Sequence, residues 1–245
     1  MQNLLLLLFT TIVLTTCYAQ TPPKRSLEEL INKQEPAWPD VKSWIATAKN
    51  KVEVLSKENS RADSALLQTQ VTTRSPMGAI VYETGGILID NGWIRILGSG
   101  NARLNRSLMD WNKGKSYTNI GEAPSFLLIA DDVLGGFYAV NAGGISKEGI
   151  GKVFYFAPDN LKWEPMDMSY TDFLIFCFNG NLKKYYQDYR WTNWEKETQE
   201  LDGNKGIHLY PFLWTKEGQI GVNKLSRSAV PIQELWDLYF NHSKK

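Results

Sequence analysis

Residues 84–100 read TGGILIDNGWIRILGSG and contain the clearest folding signal in the chain. Two apolar runs, residues 87–89 and 93–97, flank the sequence Asp-Asn-Gly at positions 90–92. Asn-Gly between apolar runs is the strongest short-range signal for a β-hairpin, because both turn residues tolerate positive φ angles. The segment therefore predicts two antiparallel strands joined by a tight turn.

Strand signals continue on both sides of this hairpin. Residues 126–130 and 137–140 are apolar runs separated by Gly135 and Gly136, which predicts a second hairpin. Residues 153–156 predict a further strand, and residues 79–82 an earlier one. The middle of the chain is therefore expected to form an antiparallel sheet built from hairpins.

Helix signals lie mainly towards the two ends of the chain. Ser26 and Glu29 form a capping-box pattern, Ser169 and Asp172 cap a second helix, and Pro231 suits the first turn of a last helix. Helices are predicted over residues 26–33, 40–49, 104–111 and 169–178, and from Pro231 onward. A further helix or pair of helices is predicted over residues 182–199. Strands in the middle with helices at both ends are typical of the α+β class, here as a single domain over residues 26–245.

The first 19 residues predict a secretory signal peptide. The apolar run of residues 4–14 is too short to span a membrane, which takes about 20 apolar residues, and no transmembrane segment is expected. Cleavage before Gln20 would leave residues 20–25 as a short polar leader and export the domain to the periplasm or the medium. In the alternative, Cys17 follows a lipobox-like sequence, and a lipid anchor on it would hold the protein at a membrane.

Composition limits the partners and the redox chemistry. The formal net charge is +1 and no basic cluster is present, which argues against nucleic acid as a partner. The chain has two Cys, and Cys177 is the one that remains after loss or acylation of Cys17, so no internal disulfide is expected. One Cys and two distant His do not make a usual zinc site, and we expect no metal and no cofactor.

Several long stretches resemble an uncharacterised bacterial family called domain of unknown function 2625. They are residues 73–78, 84–100, 210–214 and 226–232. The resemblance extends from about Leu27 to the last helix. It implies neither an activity nor a set of catalytic residues.

A second resemblance covers the middle of the chain. Asp131, Asp132, the run 135–140, the strand at Val153 and the helix after Ser169 follow the order of elements in SUKH-type domains. This superfamily has an α+β fold and includes immunity proteins that bind toxins. The resemblance implies the same fold class.

Catalytic equipment is sparse, and we predict no catalytic residue. His208 lies in an apolar sequence that favours a structural or surface role, and His242 lies in the C-terminal tail. Cys177 lies in an apolar helix, where burial makes a thiol inert. Asp131 and Asp132 are interpreted as a polar loop at the end of a hairpin. One alternative stays open: a hydrolase that uses a pair of carboxylates, which the sequence does not identify.

The best candidate for a binding site follows the first hairpin. A Gly-Ser-Gly turn before a predicted helix can present backbone amides to an anion, with arginine side chains as further donors. The candidate residues are Gly98, Ser99, Gly100, Arg103, Arg106 and Trp111. The alternative is that the two arginines pair with surface acids. The next candidate is the aromatic segment with Trp191 and Trp194, which suits a sugar or protein surface but also a core.

Three functions remain open at this stage. The first is a non-catalytic exported binding module with a protein partner. The second is an extracytoplasmic hydrolase with an unidentified carboxylate pair. The third is a binder of a small ligand or a glycan. A flat apolar patch would favour the first, and a pocket with converging carboxylates the second.

Overall fold

A seven-stranded antiparallel sheet forms the centre of the fold in the computed structural model, which describes residues 24–119 and 121–243. Spatial order follows chain order, so every strand pairs with its neighbours in sequence. The strands are β1 (Val52–Leu55), β2 (Gly86–Ile89), β3 (Ile94–Leu97), β4 (Phe126–Asp132), β5 (Phe137–Asn141), β6 (Val153–Ala157) and β7 (Lys162–Met168). The predicted α+β class with an antiparallel sheet is confirmed.

The hairpin of β2 and β3 forms as the sequence predicts. Ile89 pairs with Ile94 at its end. Asp90, Asn91 and Gly92 have φ angles of 53°, 60° and 81°, so the turn uses left-handed backbone at three positions in succession. Asp and Asn are the non-glycine residues that tolerate this region best, which explains the sequence of the turn.

Nine α-helices are present in the part of the chain that the structure describes, together with two short 3₁₀-helices, Lys216–Ile220 and Val222–Lys224. The α-helices are α1 (Leu27–Leu30), α2 (Trp38–Ala46), α3 (Asn59–Thr69), α4 (Pro76–Glu83), α5 (Leu108–Asn112), α6 (Tyr170–Asn179), α7 (Leu182–Tyr185), α8 (Trp194–Glu200) and α9 (Ile232–Ser243). Both capping boxes are present, with Ser26 and Glu29 at α1 and with Ser169 and Asp172 at α6.

The prediction of a strand over residues 79–82 is wrong, because this run lies inside helix α4. The Ser75 side chain caps the helix by accepting a hydrogen bond from the amide of Gly78, and Pro76 occupies the first helical turn. Ala79, Ile80 and Val81 are all buried. A short apolar run that is buried on every side fits a helix as well as a strand, and the cap decides between them.

The helix predicted over residues 104–111 is shorter than expected. Asn101 and Leu104 exchange hydrogen bonds across a tight turn, and α5 begins only at Leu108. The Ser107 side chain accepts a hydrogen bond from the amide of Asp110 and sets this start. The Gly98–Gly100 turn is therefore followed by a second turn before the helix.

A small second sheet interrupts the C-terminal part, which the sequence predicts to be helical. Strands β8 (Lys205–Tyr210) and β9 (Ser226–Pro231) pair antiparallel before α9 begins. Most residues of β9 are exposed, so this strand has no apolar alternation for a sequence pattern to detect. Strands β1 and β7, at the two edges of the main sheet, were likewise not predicted.

Cys177 lies in helix α6 and is fully buried. Burial raises the pKa of its thiol well above the usual value, as expected for an inert packing residue. The predicted signal peptide, Cys17 and residues 20–23 of the predicted leader lie outside the described residues. None of the helices in residues 24–119 and 121–243 has the length and apolar character that crossing a bilayer requires.

Candidate ligand-binding cleft

The amides of Ser99 and Gly100 in the Gly98–Gly100 turn are not free to bind an anion. The amide of Ser99 donates to the Thr84 carbonyl and that of Gly100 donates to the Gly85 carbonyl, each at 3.0 Å. The Ser99 hydroxyl also donates to the Thr84 carbonyl. The turn fixes the end of β3 against the start of β2, so the predicted cradle lacks the free donors that motivated it.

The other predicted site residues lie in different environments. Arg103 pairs with Glu53 at the surface, where both side chains are half exposed. Arg106 pairs with Asp131 in the interior, and its guanidinium carbon lies 4.5 Å from the ring centroid of the buried Trp111. The structure therefore does not bring the six residues together on one surface, and their role in binding stays a prediction.

Arg95, Arg106 and Asp131 form an ionic cluster in the interior. Arg95 on β3 lies directly opposite Asp131 on β4, with its Nε 2.6 Å from Oδ1. Nη1 of Arg106 lies 2.5 Å from Oδ2 of the same carboxylate. The interpretation of Asp131 as part of a polar loop is wrong, because its carboxylate is fully buried between two guanidinium groups.

Asp132 is also fully buried, and its carboxylate organises a group of tyrosines. It accepts hydrogen bonds from the hydroxyls of Tyr155 at 2.7 Å and Tyr186 at 3.2 Å, and from the amides of Leu134 and Gly136. Burial raises the pKa of this carboxyl group in spite of these donors. Both aspartates thus tie elements together inside the fold, and neither forms the polar loop that was predicted.

The two histidines of the chain both lie near one phenylalanine ring. The ring centroids of His208 and His242 lie 5.3 Å and 6.4 Å from that of Phe212. Burial lowers the pKa of His208, which favours its neutral form. His242 lies in the last turn of α9, with Nδ1 2.7 Å from the Leu238 carbonyl oxygen. Both histidines therefore belong to an aromatic cluster.

A cleft of about 580 Å³ opens beside the turn of the β2–β3 hairpin. The turn supplies one wall, and the segment from α7 to the start of α8 supplies most of the rest. Its principal lining residues are Asp90, Lys183, Gln187, Arg190, Trp191 and Trp194, and we call it the Arg190 cleft. The volume is within the usual range of small-molecule sites, about 300–1,000 Å³.

Arg190 is held firmly in the wall of this cleft. Its side chain is only 9% exposed, and Nη2 lies 2.5 Å from Oδ2 of Asp90. The guanidinium carbon lies 3.9 Å from the ring centroid of Trp194, 5.0 Å from that of Trp93 and 5.3 Å from that of Tyr186. A guanidinium stacked on aromatic faces is attracted by their π-electrons, so the rings and Asp90 fix its orientation.

Two N–H groups of the cleft wall have no acceptor among the described residues. They are Nε of Arg190 and Nε1 of Trp191, whose side chains are almost wholly buried. A buried donor without an acceptor costs about 1–3 kcal/mol. The indole nitrogens of Trp93 and Trp111 also lack acceptors within these residues, but neither lines this cleft. Both nitrogen atoms are themselves buried, so the surrounding protein encloses them and they are not exposed to the open cleft.

Further polar side chains line the Arg190 cleft. Lys183 and Glu195, both exposed, add a cation and an anion to the pair of Arg190 and Asp90. The cleft therefore carries two positive and two negative side chains. Asn223 also lines it, and Oδ1 of this residue accepts a hydrogen bond from the backbone amide of Thr192.

Sequence reasoning identified this site in part. It named Trp191 and Trp194 as an alternative surface, and it placed Asp90 in the hairpin turn. It missed Arg190, because the pairing of Arg190 with Asp90 joins residues 100 positions apart. The local signal that was available is an arginine directly before two tryptophans spaced three residues apart.

Comparison with known proteins relates almost the whole chain to others of unknown function. A family model described as "Protein of unknown function DUF2625" matches residues 27–235. An "Uncharacterized protein" of Haemophilus influenzae is 40% identical over 221 residues, covering 90% of this chain and 96% of that protein. A "Putative uncharacterized protein YbfG" of Escherichia coli is 38% identical over 216 residues, covering 88% and 96%. No solved structure matches, and the resemblance to SUKH-type domains stays a prediction.

Proposed function

Since the chain belongs to the DUF2625 family, to which no function is assigned, we propose from its geometry that it is a non-catalytic, exported binding module. Its ligand is a small polar molecule held in the Arg190 cleft. The observation that carries this proposal is a cleft of ligand size with the Arg190 guanidinium held in its wall, stacked on Trp194 and paired with Asp90.

The cleft is built for recognition because its donors are fixed before a ligand arrives. The aromatic rings around Arg190 and its ion pair with Asp90 hold the guanidinium in one orientation. Binding then costs little side-chain entropy, since the recognising groups are already ordered. A guanidinium fixed in the wall of a cleft distinguishes this region from the exposed ion pair of Arg103 and Glu53.

The absence of catalysis is supported by the environments of the reactive side chains. The thiol of Cys177 is buried with a raised pKa, and Asp131 and Asp132 are occupied by arginines and tyrosines. His208 packs against Phe212. Each of these groups is packed within the fold.

Export is supported by the sequence of residues 1–19, which has the length and apolar character of a signal peptide. We propose that the mature chain begins at Gln20 and works in the periplasm or outside the cell. A lipid anchor on Cys17 is the alternative, and it would keep the same domain at a membrane surface.

The second candidate function is binding of a protein partner through a different surface. Tyr210 is 60% exposed beside Phe212, and the Phe212 ring stacks on Trp214 with centroids 4.3 Å apart. Partly exposed aromatic side chains are common anchors in protein interfaces. This surface favours the protein-binding hypothesis, whereas the cleft favours the small-ligand hypothesis.

The two candidates are separated by thermal unfolding and affinity capture with the mature chain. We expect some compounds of a library to raise the melting temperature of the wild type but not of Arg190→Lys. Lysine retains a positive charge opposite Asp90 but lacks the planar guanidinium that stacks on the Trp194 ring. Arg103→Lys, a matched change at the surface, should respond as the wild type does.

The proposal is contradicted if compounds that stabilise the protein act equally on the wild type and on Arg190→Lys. Capture of a protein partner that depends on Tyr210 and ignores Arg190 would establish the second candidate instead. Stability of each variant without ligand is measured in the same experiment, so that loss of folding is not mistaken for loss of binding.

A further inference from the structure

We infer that strand β9 is an interface through which two copies of this chain associate. The inference does not depend on the ligand proposed for the Arg190 cleft. It rests on the backbone groups along the outer edge of β9, on the small side chains that leave this edge open, and on opposite charges at the two ends of the strand.

The outer edge of β9 has unpaired backbone groups. The amide of Ile207 in β8 donates to the Val133 carbonyl, so Ile207 turns its backbone groups away from β9. Residues directly opposite one another in an antiparallel pair both turn inward or both turn outward. Ala229 lies opposite Ile207 and therefore turns outward, as does Arg227 two residues earlier. The N–H and C=O groups of both residues bond no other group in the described part of the chain.

Side chains leave this edge open. Residues 226–229 are all exposed, and three of the four are serine or alanine. The fourth, Arg227, has Nε 3.5 Å from Oε2 of Glu197 and its guanidinium carbon 5.1 Å from the ring centroid of Trp191, so its charge is engaged within its own chain. An exposed strand edge with unpaired backbone groups is a template for pairing with another chain.

The two edges of the main sheet are protected instead. Strand β1 has only four residues and carries Glu53, which is paired with Arg103. Strand β7 contains Pro165, and its Asp167 has a positive φ of 55°. Short length, charge, proline and irregular backbone are the usual means of blocking a sheet edge. In β9 the proline, Pro231, is the last residue and follows both outward-facing positions.

The pattern of this edge fits a second copy of the same strand. When two β9 strands pair antiparallel about a two-fold axis, Arg227 of each copy can lie opposite Ala229 of the other. Each such pair exchanges both of its backbone hydrogen bonds, so all the outward-facing groups of these residues are used. Ser228 then faces its own equivalent, and no like charges are directly opposite one another.

The charges at the two ends of β9 also match a second copy. Lys224 ends the 3₁₀-helix before the strand, and Glu234 lies in the first turn of α9 after it. Both residues are exposed, and neither forms an ion pair among the described residues. Antiparallel pairing brings the start of one strand towards the end of the other, so each Lys224 approaches the Glu234 of the other copy. This match at both ends favours a second copy over an unrelated strand.

Sedimentation equilibrium of the mature chain tests the inference. We expect the wild type to form dimers between micromolar and millimolar concentration. Ala229→Pro should weaken the dimer by about tenfold or more, because each copy loses an N–H donor at the interface. Proline is tolerated at an edge position whose N–H faces solvent, and circular dichroism checks that the variant folds. Ala229→Ser retains the amide and is the matched control, which should associate as the wild type does.

Charge reversal tests the same interface without changing the backbone. Lys224→Glu and Glu234→Lys should each weaken the dimer, because like charges then meet at both ends. An equal mixture of the two variants should associate again, since each chain carries the charges that complement the other. A role of either residue within its own chain would not be restored by mixing.

Three results overturn the inference. The first is a wild type that stays monomeric at millimolar concentration. The second is a dimer that a folded Ala229→Pro variant leaves unchanged, because the interface then lies elsewhere. The third is a mixture of the two charge variants that associates no better than either alone, and this result decides even if Ala229→Pro does not fold. Arg190→Lys should associate as the wild type does, so failure here is distinct from failure of the proposed function.

Discussion

The substitution Asp131→Asn should destabilise the protein strongly. It keeps the size and shape of the side chain and removes the negative charge that faces Arg95 and Arg106. Oδ1 lies 2.5 Å from Nη2 of Arg95, and Oδ2 lies 2.5 Å from Nη1 of Arg106. After the substitution, two guanidinium groups would share the interior without this counter-charge.

The magnitude follows from burial. The carboxylate is wholly buried, and the two arginine side chains are 2% and 10% exposed. Removing one partner of a buried ion pair costs about 3–5 kcal/mol, because the remaining charge stays desolvated. The carbonyls of Asp132 and Gly203 still accept hydrogen bonds from the arginines, which offsets part of the loss of contacts and none of the loss of charge. The free energy of unfolding of a whole domain is about 5–15 kcal/mol, so this loss is a large share of it.

Glu53→Gln provides the matched comparison. It also removes a carboxylate charge from an arginine, Arg103, but both side chains of that pair are 50% exposed. An exposed pair contributes about 0–1 kcal/mol. Denaturant unfolding followed by tryptophan fluorescence gives both free energies at neutral pH. If the two variants lose free energies of unfolding that differ by less than about 1 kcal/mol, with equal slopes of the unfolding curves, burial of the Asp131 pair does not have the expected effect.

Three further predictions concern processing, a thiol and an amine. The intact mass of the exported protein should match a chain that starts at Gln20, and a mass starting at Cys17 with acyl chains would establish the lipoprotein. Cys177 should resist a thiol reagent in the native state and react on unfolding; rapid native labelling would contradict its burial. Burial lowers the pKa of Lys115 from 10.5 to about 8, so the native state releases this proton at a lower pH than the unfolded chain. The free energy of unfolding of the wild type, measured in urea, should therefore rise from pH 8 towards 10.5 relative to that of Lys115→Met. The same pH dependence in both proteins would exclude this shift.

Local signals predicted the features that depend on a few neighbouring residues. The β2–β3 hairpin forms because its turn residues tolerate positive φ, and the helix caps at Ser26 and Ser169 form because each capping box is contained in four residues. Both patterns act within one turn of chain. The burial of Cys177 was predicted from the apolar residues on either side of it in its own helix.

Tertiary packing decided where a local pattern allowed two structures. The run 79–82 is a helix because Ser75 caps it and the surrounding elements bury Ala79, Ile80 and Val81, whereas its composition suits a strand equally well. Strand β9 exists because β8 pairs with it, since its own side chains are mostly exposed.

By itself, the sequence determined the α+β class, the central hairpin and the family, because these depend on local periodicity, turn chemistry and long shared stretches. The tertiary structure decided the roles of the charged residues. Arg106 and Asp131 are 25 positions apart and Asp90 and Arg190 are 100 apart, and no periodic pattern relates such pairs. Burial of these side chains requires that each charge lie next to an opposite charge, and only the fold decides which residue provides it.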